Sequence, residues 1–317
     1  NTPIVSIPAG VANHYLGLRK FFSKNVIYNQ YATSNYIKNK IRFKFFHKPL
    51  IIGHKCYDII KFIFLLMIYC RPTILLNPSF GRTALKRDAL FLSIAKFFKC
   101  KVAVFIHGWD KEYLEMVFNG TIKFSAIWKK ADAFFVLAKE FKDYLEKLGI
   151  KSPIHLTTTK VNDKLLEGIS KNKKIEKIQN ILFLARVEKA KGVFITIDAF
   201  NILIKKYSNL KLRVVGSGSV LEHAKTYVSD RGISNITFAG ALYGADLKKE
   251  FFNADLYILP TYSEGMPTSV LEAMAFGLPV ITRPVGGLKD FFENDKMGYM
   301  IESLLPKDYA AQIEKLI

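Results

Sequence analysis

Short apolar runs alternate with longer amphipathic segments along most of the chain. The short runs have the length of β-strands, and the segments between them carry apolar residues at helical spacing. Strands that alternate with helices predict parallel sheets covered by helices, which is the α/β class. The predicted strands are residues 73–76, 101–106, 133–137, 152–159, 180–184, 212–215, 236–238, 255–259 and 280–281. The predicted helices are residues 13–22, 82–98, 139–148, 192–207, 219–229 and 244–253, with a further helix within 111–128.

The alternation is interrupted once, by a polar stretch in the middle of the chain. At 317 residues the chain exceeds the usual size of one domain, which favours two. We place an N-terminal domain at residues 1–160, a linker at 161–180 and a C-terminal domain at 181–317. The expected architecture is two parallel-sheet domains facing a cleft, with ligands bound beyond the carboxyl ends of the strands.

A strand, a loop and a helix follow one another in residues 255–277, and two glutamates lie along them. Pro260 ends the strand, because proline cannot donate a hydrogen bond to a neighbouring strand. Pro267 suits the first turn of a helix, and Gly277 marks its end. Glu264 is therefore predicted on the loop just before the helix, and Glu272 about two turns into it.

This placement suits a ligand that carries both phosphate and hydroxyl groups. A helix N-terminus presents backbone N–H groups and a positive dipole end to phosphate. Carboxylates accept hydrogen bonds from sugar hydroxyls. The alternative is that Glu264 caps the helix and Glu272 is an ordinary solvated helix residue.

Two further loops between a strand and a helix have residues that suit phosphate or a nucleotide. Arg186 and Lys191 are five residues apart after the strand at 180–184, and together they could neutralise a diphosphate. The alternative is two solvated cations. Gly216 and Gly218 follow the strand at 212–215, and a glycine turn permits close backbone approach to a nucleotide. A Rossmann dinucleotide site is the competing interpretation, but the third glycine of that motif is missing.

The positive charge is concentrated in the first half of the chain. Residues 1–160 hold 26 Lys and Arg against 9 Asp and Glu, a net charge of +17, whereas residues 161–317 have a net charge of +3. In residues 41–48 the basic residues are interspersed with aromatic ones. An anionic membrane surface, nucleic acid or merely a solubilising surface could explain this pattern. We favour the membrane surface and expect no nucleic-acid partner.

Cysteine and histidine spacing gives no sign of a metal site or a disulfide framework. The three cysteines, Cys56, Cys70 and Cys100, contain no Cys-x-x-Cys pair, which favours reduced thiols in a cytosolic protein. No Asp-x-Asp or His-x3-His occurs, so no metal is expected. No run of about 18 uncharged apolar residues predicts a membrane span. The chain opens without methionine, and the sequence does not decide whether terminal segments are missing from it.

The segment SEGMPTSVLEAMAFGLPVI, residues 263–281, resembles the Glu-x7-Glu region of the retaining glycosyltransferases of the large group 1 family, the family 4 type. Arg186 and Lys191 resemble the Arg-x4-Lys-Gly signature of the same family. The resemblance implies the GT-B fold, with two Rossmann-like domains. It also implies a nucleotide diphosphate sugar of the UDP or GDP type as substrate, with no metal and no cofactor.

The resemblance also implies a role for each matching residue. The catalytic group would be Arg186 and Lys191 at the donor pyrophosphate, with Glu264 and His107 near the transferred sugar. Glu272 would bind the ribose hydroxyls. The remaining donor-binding residues would be Gly10, Gly216, Gly218, Gly265, Met266, Pro267 and Thr268. Asn77 ends the strand before that of His107 and could lie at the same site. Gly10 resembles the N-terminal glycine loop of the family. Members of the family usually have a strand before this loop, and residues 1–7 leave little room for it.

These implications lead to one expectation and two rivals. We expect a hexose or N-acetylhexosamine to be transferred to a lipid-linked or polysaccharide acceptor in the synthesis of a surface polysaccharide or lipopolysaccharide. The N-terminal domain would bind the acceptor, and the protein would be cytoplasmic and peripheral on the inner face of the membrane. The rivals are a nucleotide-sugar 2-epimerase of the same fold and a non-catalytic protein that binds membrane or nucleic acid. Donor base, sugar, linkage and oligomeric state are not specified by the sequence.

Overall fold

The computed structural model describes residues 2–4, 30–32, 47–169 and 175–317. The chain divides into two compact units, Asn1–Lys160 and Val161–Ile317. The predicted helix at residues 13–22 and the predicted site residue Gly10 lie outside the described residues.

The first unit contains a parallel sheet of four strands with the order β3-β4-β5-β6. A separate parallel pair, β1 with β2, involves the first residues of the chain, so a three-residue strand does precede Gly10. The elements in chain order are β1 (Thr2–Ile4), β2 (Gln30–Ala32), α1 (His47–Ile68), β3 (Ile74–Leu76), α2 (Arg82–Phe97), β4 (Val102–Ile106), α3 (Lys111–Phe118), a 3-10 helix (Ala126–Lys130), β5 (Ala133–Val136), α4 (Lys139–Lys147) and β6 (Ile154–Leu156).

The core of the first unit is built from strand side chains and from aromatic residues of the following segments. Val104 and Phe134 on the central strands are fully buried. Phe80 stacks on Trp109 with 4.3 Å between ring centroids, and Trp109 stacks in turn on Phe141 at 4.4 Å. These rings fix the loops that leave β3 and β4 at the carboxyl edge of the sheet.

The second unit contains a parallel sheet of six strands with the order β12-β11-β10-β7-β8-β9. Its first strand, β7, lies inside the sheet, which explains why it reads as a continuous apolar run. The elements are α5 (Asp163–Leu166), β7 (Asn180–Leu184), a 3-10 helix (Lys189–Lys191), α6 (Val193–Ile204), β8 (Lys211–Val215), α7 (Leu221–Asp230), β9 (Ile236–Gly240), α8 (Gly244–Asn253), β10 (Leu256–Leu259), α9 (Thr268–Ala275), β11 (Val280–Thr282), a 3-10 helix (Gly286–Asp290), β12 (Gly298–Met300) and α10 (Pro306–Glu314).

The α/β class and the two parallel sheets confirm the sequence prediction. Every predicted strand is present, and its observed bounds differ from the predicted ones by at most two residues at the start and three at the end. The sequence analysis missed the helices α1 and α10 and the strands β1, β2 and β12. The described part of the predicted linker is not irregular throughout, since it contains the one-turn helix α5. Among the helices that the structure describes, none combines the length and the hydropathy needed to cross a bilayer.

Candidate donor-binding site

The loops that leave β7, β8, β10 and β11 meet at the carboxyl edge of the six-stranded sheet, because all these strands run parallel. This edge carries every predicted site residue of the second unit. Backbone hydrogen bonds link the loops directly. The amide of Tyr262, after β10, donates to the carbonyl of Ala190, after β7, at 2.9 Å.

Lys191 and Glu264, 73 residues apart in the chain, form the centre of the site. The ammonium Nζ of Lys191 donates to Oε1 of Glu264 at 2.5 Å. The side chain of Lys191 is 15% exposed and that of Glu264 is 16% exposed. The buried hydroxyl of Thr261 donates to the same carboxylate oxygen at 3.1 Å. The two predicted residues are therefore in contact, and each neutralises the charge of the other.

Gly192 allows this contact, because it brings the loop after β7 against the loop after β10. It has φ +78°, and a Cβ atom placed there would lie 2.2 Å from the carbonyl oxygen of Pro260. A side chain at this position would push Lys191 away from Glu264. The Lys-Gly pair of the sequence signature is thus a steric requirement as well as a chemical one.

Arg186 occupies the same loop but a different environment. Its side chain is 64% exposed, and its guanidinium donates to Oε1 of Glu188 at 2.6 Å. Arg186 and Lys191, predicted to act together, are therefore held by two different carboxylates. An exposed guanidinium is available to an anionic ligand, since only its neighbour in the loop holds it.

Glu272 lies on α9 with its carboxyl largely enclosed by protein. Burial raises its pKa to about 7, because the charged form is poorly solvated there. It is the fifth residue of α9, so it lies one turn from the start of the helix and not the predicted two. Its burial contradicts the alternative of an ordinary solvated helix residue.

The hydroxyl of Tyr257 is a part of the site that the sequence analysis missed. Tyr257 is fully buried in β10, and its hydroxyl lies 2.9 Å from the carbonyl oxygen of Leu184 and 2.7 Å from Oγ of Ser269. It therefore connects the end of β7 to the first turn of α9. Burial raises its pKa, and so do the nearby Glu272 and Glu264 carboxylates. Its apolar surroundings in the sequence gave no sign of this role.

The glycine turn after β8 packs on the loop that carries Arg186. A Cβ atom at Gly218 would lie 2.2 Å from the carbonyl oxygen of Val187, and the amide of Val187 donates to the carbonyl of Ser217 at 3.0 Å. The amide of Gly216 donates to Gly240 at 2.7 Å. Close backbone packing between the loops is thus a role for these glycines, beside the predicted approach to a nucleotide.

The residues between Glu264 and the helix are fixed by the loop after β11. Gly265, Met266 and Pro267 are buried, and the carbonyl of Gly265 accepts from the amide of Gly287 at 2.8 Å. α9 begins at Thr268, so Pro267 immediately precedes the helix and is not within its first turn. The helix ends at Ala275, near the predicted Gly277.

Arg283, also missed by the sequence analysis, fixes the edge of this site. Its guanidinium donates to the carbonyl of Glu302 at 3.0 and 3.2 Å and to that of Thr261 at 3.4 Å. Because it binds backbone carbonyls only, no charge pattern in the sequence indicates its role.

In the first unit, His107 and Asn77 lie together at the ends of neighbouring strands β4 and β3. Nε2 of His107 is 3.4 Å from Oδ1 of Asn77, and both side chains are more than nine-tenths buried. The imidazole also packs on Phe105, with 3.8 Å between ring centroids. The predicted proximity of these two residues is present.

No group of three or more His, Cys, Asp and Glu side chains that could hold a metal ion occurs in residues 49–169 and 175–317. Arg186, Lys191 and the N-terminus of α9 place positive charge at the candidate site.

Comparison with known proteins finds a family match for the second half of the chain. Residues 167–317 match the family described as "Glycosyl transferases group 1". A D-inositol 3-phosphate glycosyltransferase of Paenarthrobacter aurescens is 29% identical over 145 residues, which are 43% of this chain and 35% of that protein. The capsular polysaccharide biosynthesis glycosyltransferase CapM of Staphylococcus aureus is 30% identical over 189 residues, 57% of this chain and 47% of CapM.

The chain thus spans half or less of the length of these two relatives. Among solved structures, Anabaena Alr3699/HepE in complex with UDP superposes with a TM-score of 0.70 at 14% identity, over 99% of this chain and 88% of that one. The fold is the GT-B fold of glycosyltransferases, and residues 167–317, which contain Arg186, Lys191, Glu264 and Glu272, match the group 1 glycosyltransferases.

Proposed function

We propose that the protein transfers a sugar from a nucleoside diphosphate sugar to a glycan or lipid-linked acceptor, with retention of configuration at the anomeric carbon. The observation that carries this proposal is the contact of Lys191 with Glu264 at 2.5 Å on the loop before α9, the helix whose fifth residue is the half-buried Glu272. A cation for phosphate and two carboxyl groups for sugar hydroxyls lie at one edge of one parallel sheet. HepE, which shares this fold, was solved in complex with UDP, and this supports a nucleotide ligand for the proposed reaction.

Each residue has a role that follows from its environment. Lys191 and the exposed Arg186 would stabilise the charge that develops on the leaving diphosphate, which is electrostatic catalysis. The N-terminal amides of α9 would add to that stabilisation. Glu272 would accept hydrogen bonds from the ribose, and Glu264 would position the transferred sugar. A role for His107 at the sugar stays a prediction from the family resemblance.

The proposed reaction breaks the bond between the anomeric carbon and the diphosphate oxygen. A bond forms from the acceptor oxygen to the same face of that carbon, and the acceptor proton goes to the leaving phosphate oxygen. Retention then requires no side chain as a base. We propose that no metal is needed, because Lys191, Arg186 and the helix dipole supply positive charge where the diphosphate leaves.

The setting we propose is surface polysaccharide synthesis at the cytoplasmic face of a membrane. Relatives named for this process include CapM and the putative colanic acid biosynthesis glycosyltransferase WcaL of Escherichia coli, which is 22% identical over 214 residues. The net charge of +17 in residues 1–160 favours an anionic membrane surface near a lipid-linked acceptor.

The test is a thermal-shift titration with UDP, GDP, ADP and NAD, each with EDTA and with Mg²⁺. A ligand that binds the native state raises the melting temperature by mass action. We expect one nucleoside diphosphate to raise the melting temperature by the same amount with EDTA as with Mg²⁺, and NAD to leave it unchanged. Glu272→Gln should reduce the shift. No shift with any nucleotide, from folded protein, would refute the proposal. Transfer of the sugar to an acceptor, with no epimerised nucleotide sugar among the products, would exclude the alternative of a nucleotide-sugar 2-epimerase.

A further inference from the structure

Helix α1 has apolar side chains on two opposite faces, and the structure covers one of them. On the inner face Phe62 and Leu66 are buried in the core, and the Phe62 ring meets that of Phe91 edge-on at 5.1 Å. On the outer face a row of four large side chains is 60–66% exposed. This row, which we call the outer stripe, consists of Tyr57, Ile60, Phe64 and Met67.

The outer stripe is continuous, because its spacings of three, four and three residues place all four side chains on one side of the helix. Residues 59–68 contain a single charged side chain, Lys61. A helix that is apolar all round is normally buried on all sides. Large apolar side chains exposed in a row mark an interaction surface.

The charges around the outer stripe indicate the kind of partner. Asp58 is the one acidic residue of α1, whereas Lys61 flanks the stripe and Arg71 follows the helix. Over residues 1–101 there are 17 Lys and Arg against 2 Asp and Glu. A second copy of the chain would bring the same cations together, so charge opposes self-association through this face. An anionic lipid surface matches both the apolar stripe and its basic surroundings.

We propose that α1 lies in the plane of an anionic bilayer and inserts the outer stripe below the headgroups, with Lys61 at the phosphates. The helix lies flat, because its inner face is packed into the protein core along the same turns. Lysine suits the boundary, since its aliphatic stem can follow apolar surface while the ammonium stays in water. This inference rests on the proposed membrane location and not on sugar transfer.

The first test is sedimentation of the full chain with vesicles of phosphatidylglycerol and phosphatidylcholine, compared with phosphatidylcholine alone. We expect binding to the anionic vesicles, weakened about fivefold by Lys61→Gln, which corresponds to about 1 kcal/mol per basic residue. The double variant Ile60→Glu with Phe64→Glu should bind at least about tenfold less. The matched control is Leu305→Glu, which places a charge at an exposed apolar site of the second unit.

A second measurement avoids disruptive charges. Phe64→Trp adds an exposed indole, whereas Trp109 and Trp128 are buried. Its emission should shift to the blue with anionic vesicles and not with phosphatidylcholine alone.

Each of three outcomes would overturn the inference. The first is that folded wild-type protein does not bind anionic vesicles. The second is that the double glutamate variant binds these vesicles as well as wild type does. The third is that wild type is a dimer and the double variant loses the dimer but still binds vesicles. The nucleotide thermal shift should be the same in every α1 variant. Failure on vesicles with an intact nucleotide response therefore refutes the membrane face and leaves the proposed sugar transfer standing.

Discussion

The carboxyl group of Glu272 keeps its proton to a higher pH in the native state than in the unfolded chain. Burial raises its pKa from 4.5 to about 7, so between these values the native state binds more protons than the unfolded state. The contribution of this proton to the free energy of unfolding is fully present below pH 4.5 and is lost as the pH rises through 7. We predict that Glu272→Gln melts at a higher temperature than wild type at pH 8, without nucleotide, and at a similar temperature at pH 4.5. Parallel pH profiles would contradict this prediction.

The pair of Lys191 and Glu264 makes a second prediction at the scale of single residues. Lys191→Met leaves a carboxylate that is 16% exposed with Thr261 as its hydrogen-bond donor, so we expect a loss of about 1–3 kcal/mol in unfolding free energy. Adding Glu264→Gln removes the unpaired charge and should recover part of the loss. Urea denaturation of both single variants and the double variant measures this coupling. Additive losses would show that the pair contributes no coupling.

At the scale of elements, the hydroxyl of Tyr257 joins β10, the end of β7 and the start of α9. Tyr257→Phe leaves the carbonyl of Leu184 and the hydroxyl of Ser269 without this partner, which should cost about 1–3 kcal/mol. The control is Tyr299→Phe, because the exposed hydroxyl of Tyr299 bonds to Asp295 at the surface. Chemical denaturation should separate the two variants, and equal stabilities would contradict the proposed link.

The packing of the glycine turn on the Arg186 loop predicts a steric effect. Gly218→Ala places a methyl group 2.2 Å from a carbonyl oxygen, so we expect a loss of about 1–3 kcal/mol and weaker nucleotide binding. Gly53→Ala is the matched control, because nothing lies within 4 Å of a Cβ atom in that exposed turn of α1. Alanine should stabilise α1 by about 0.5–1 kcal/mol. A stable Gly218→Ala protein would refute the steric role.

Local pattern predicted most elements, and the misses have physical reasons. Strands β7 and β10 are short apolar runs with clear ends, so they were located within one residue. Helix α1 was missed because apolar residues on both faces hide the helical period. Spacing singled out Arg186, Lys191, Glu264 and Glu272 as candidates, but it did not indicate their partners. The contacts of Lys191 with Glu264 and of Tyr257 with Leu184 join residues 73 apart, and sequence spacing contains no information on such distances.

At the scale of the whole molecule, each compact unit has its own sheet and core. All the second-unit residues of the candidate donor site lie in residues 161–317. We predict that this segment, produced alone, unfolds in one cooperative transition and keeps the nucleotide thermal shift of the full chain. Calorimetry with and without the nucleotide tests this. A segment that folds without binding would show that the first unit contributes to nucleotide affinity.

The position of β7 inside its sheet has a consequence for how the protein is made. β7 pairs with β8, the next strand of the chain, on one side, but with β10, which begins at Leu256, on the other. During synthesis β7, β8 and β9 can pair as they appear, while the second edge of β7 waits for residues more than 70 positions later. A ribosome that stalls in this interval exposes an apolar strand with unpaired N–H and C=O groups, a template for wrong pairing. Such a fragment also lacks Glu264 and Glu272, so we expect incomplete chains to be aggregation-prone and without the proposed activity.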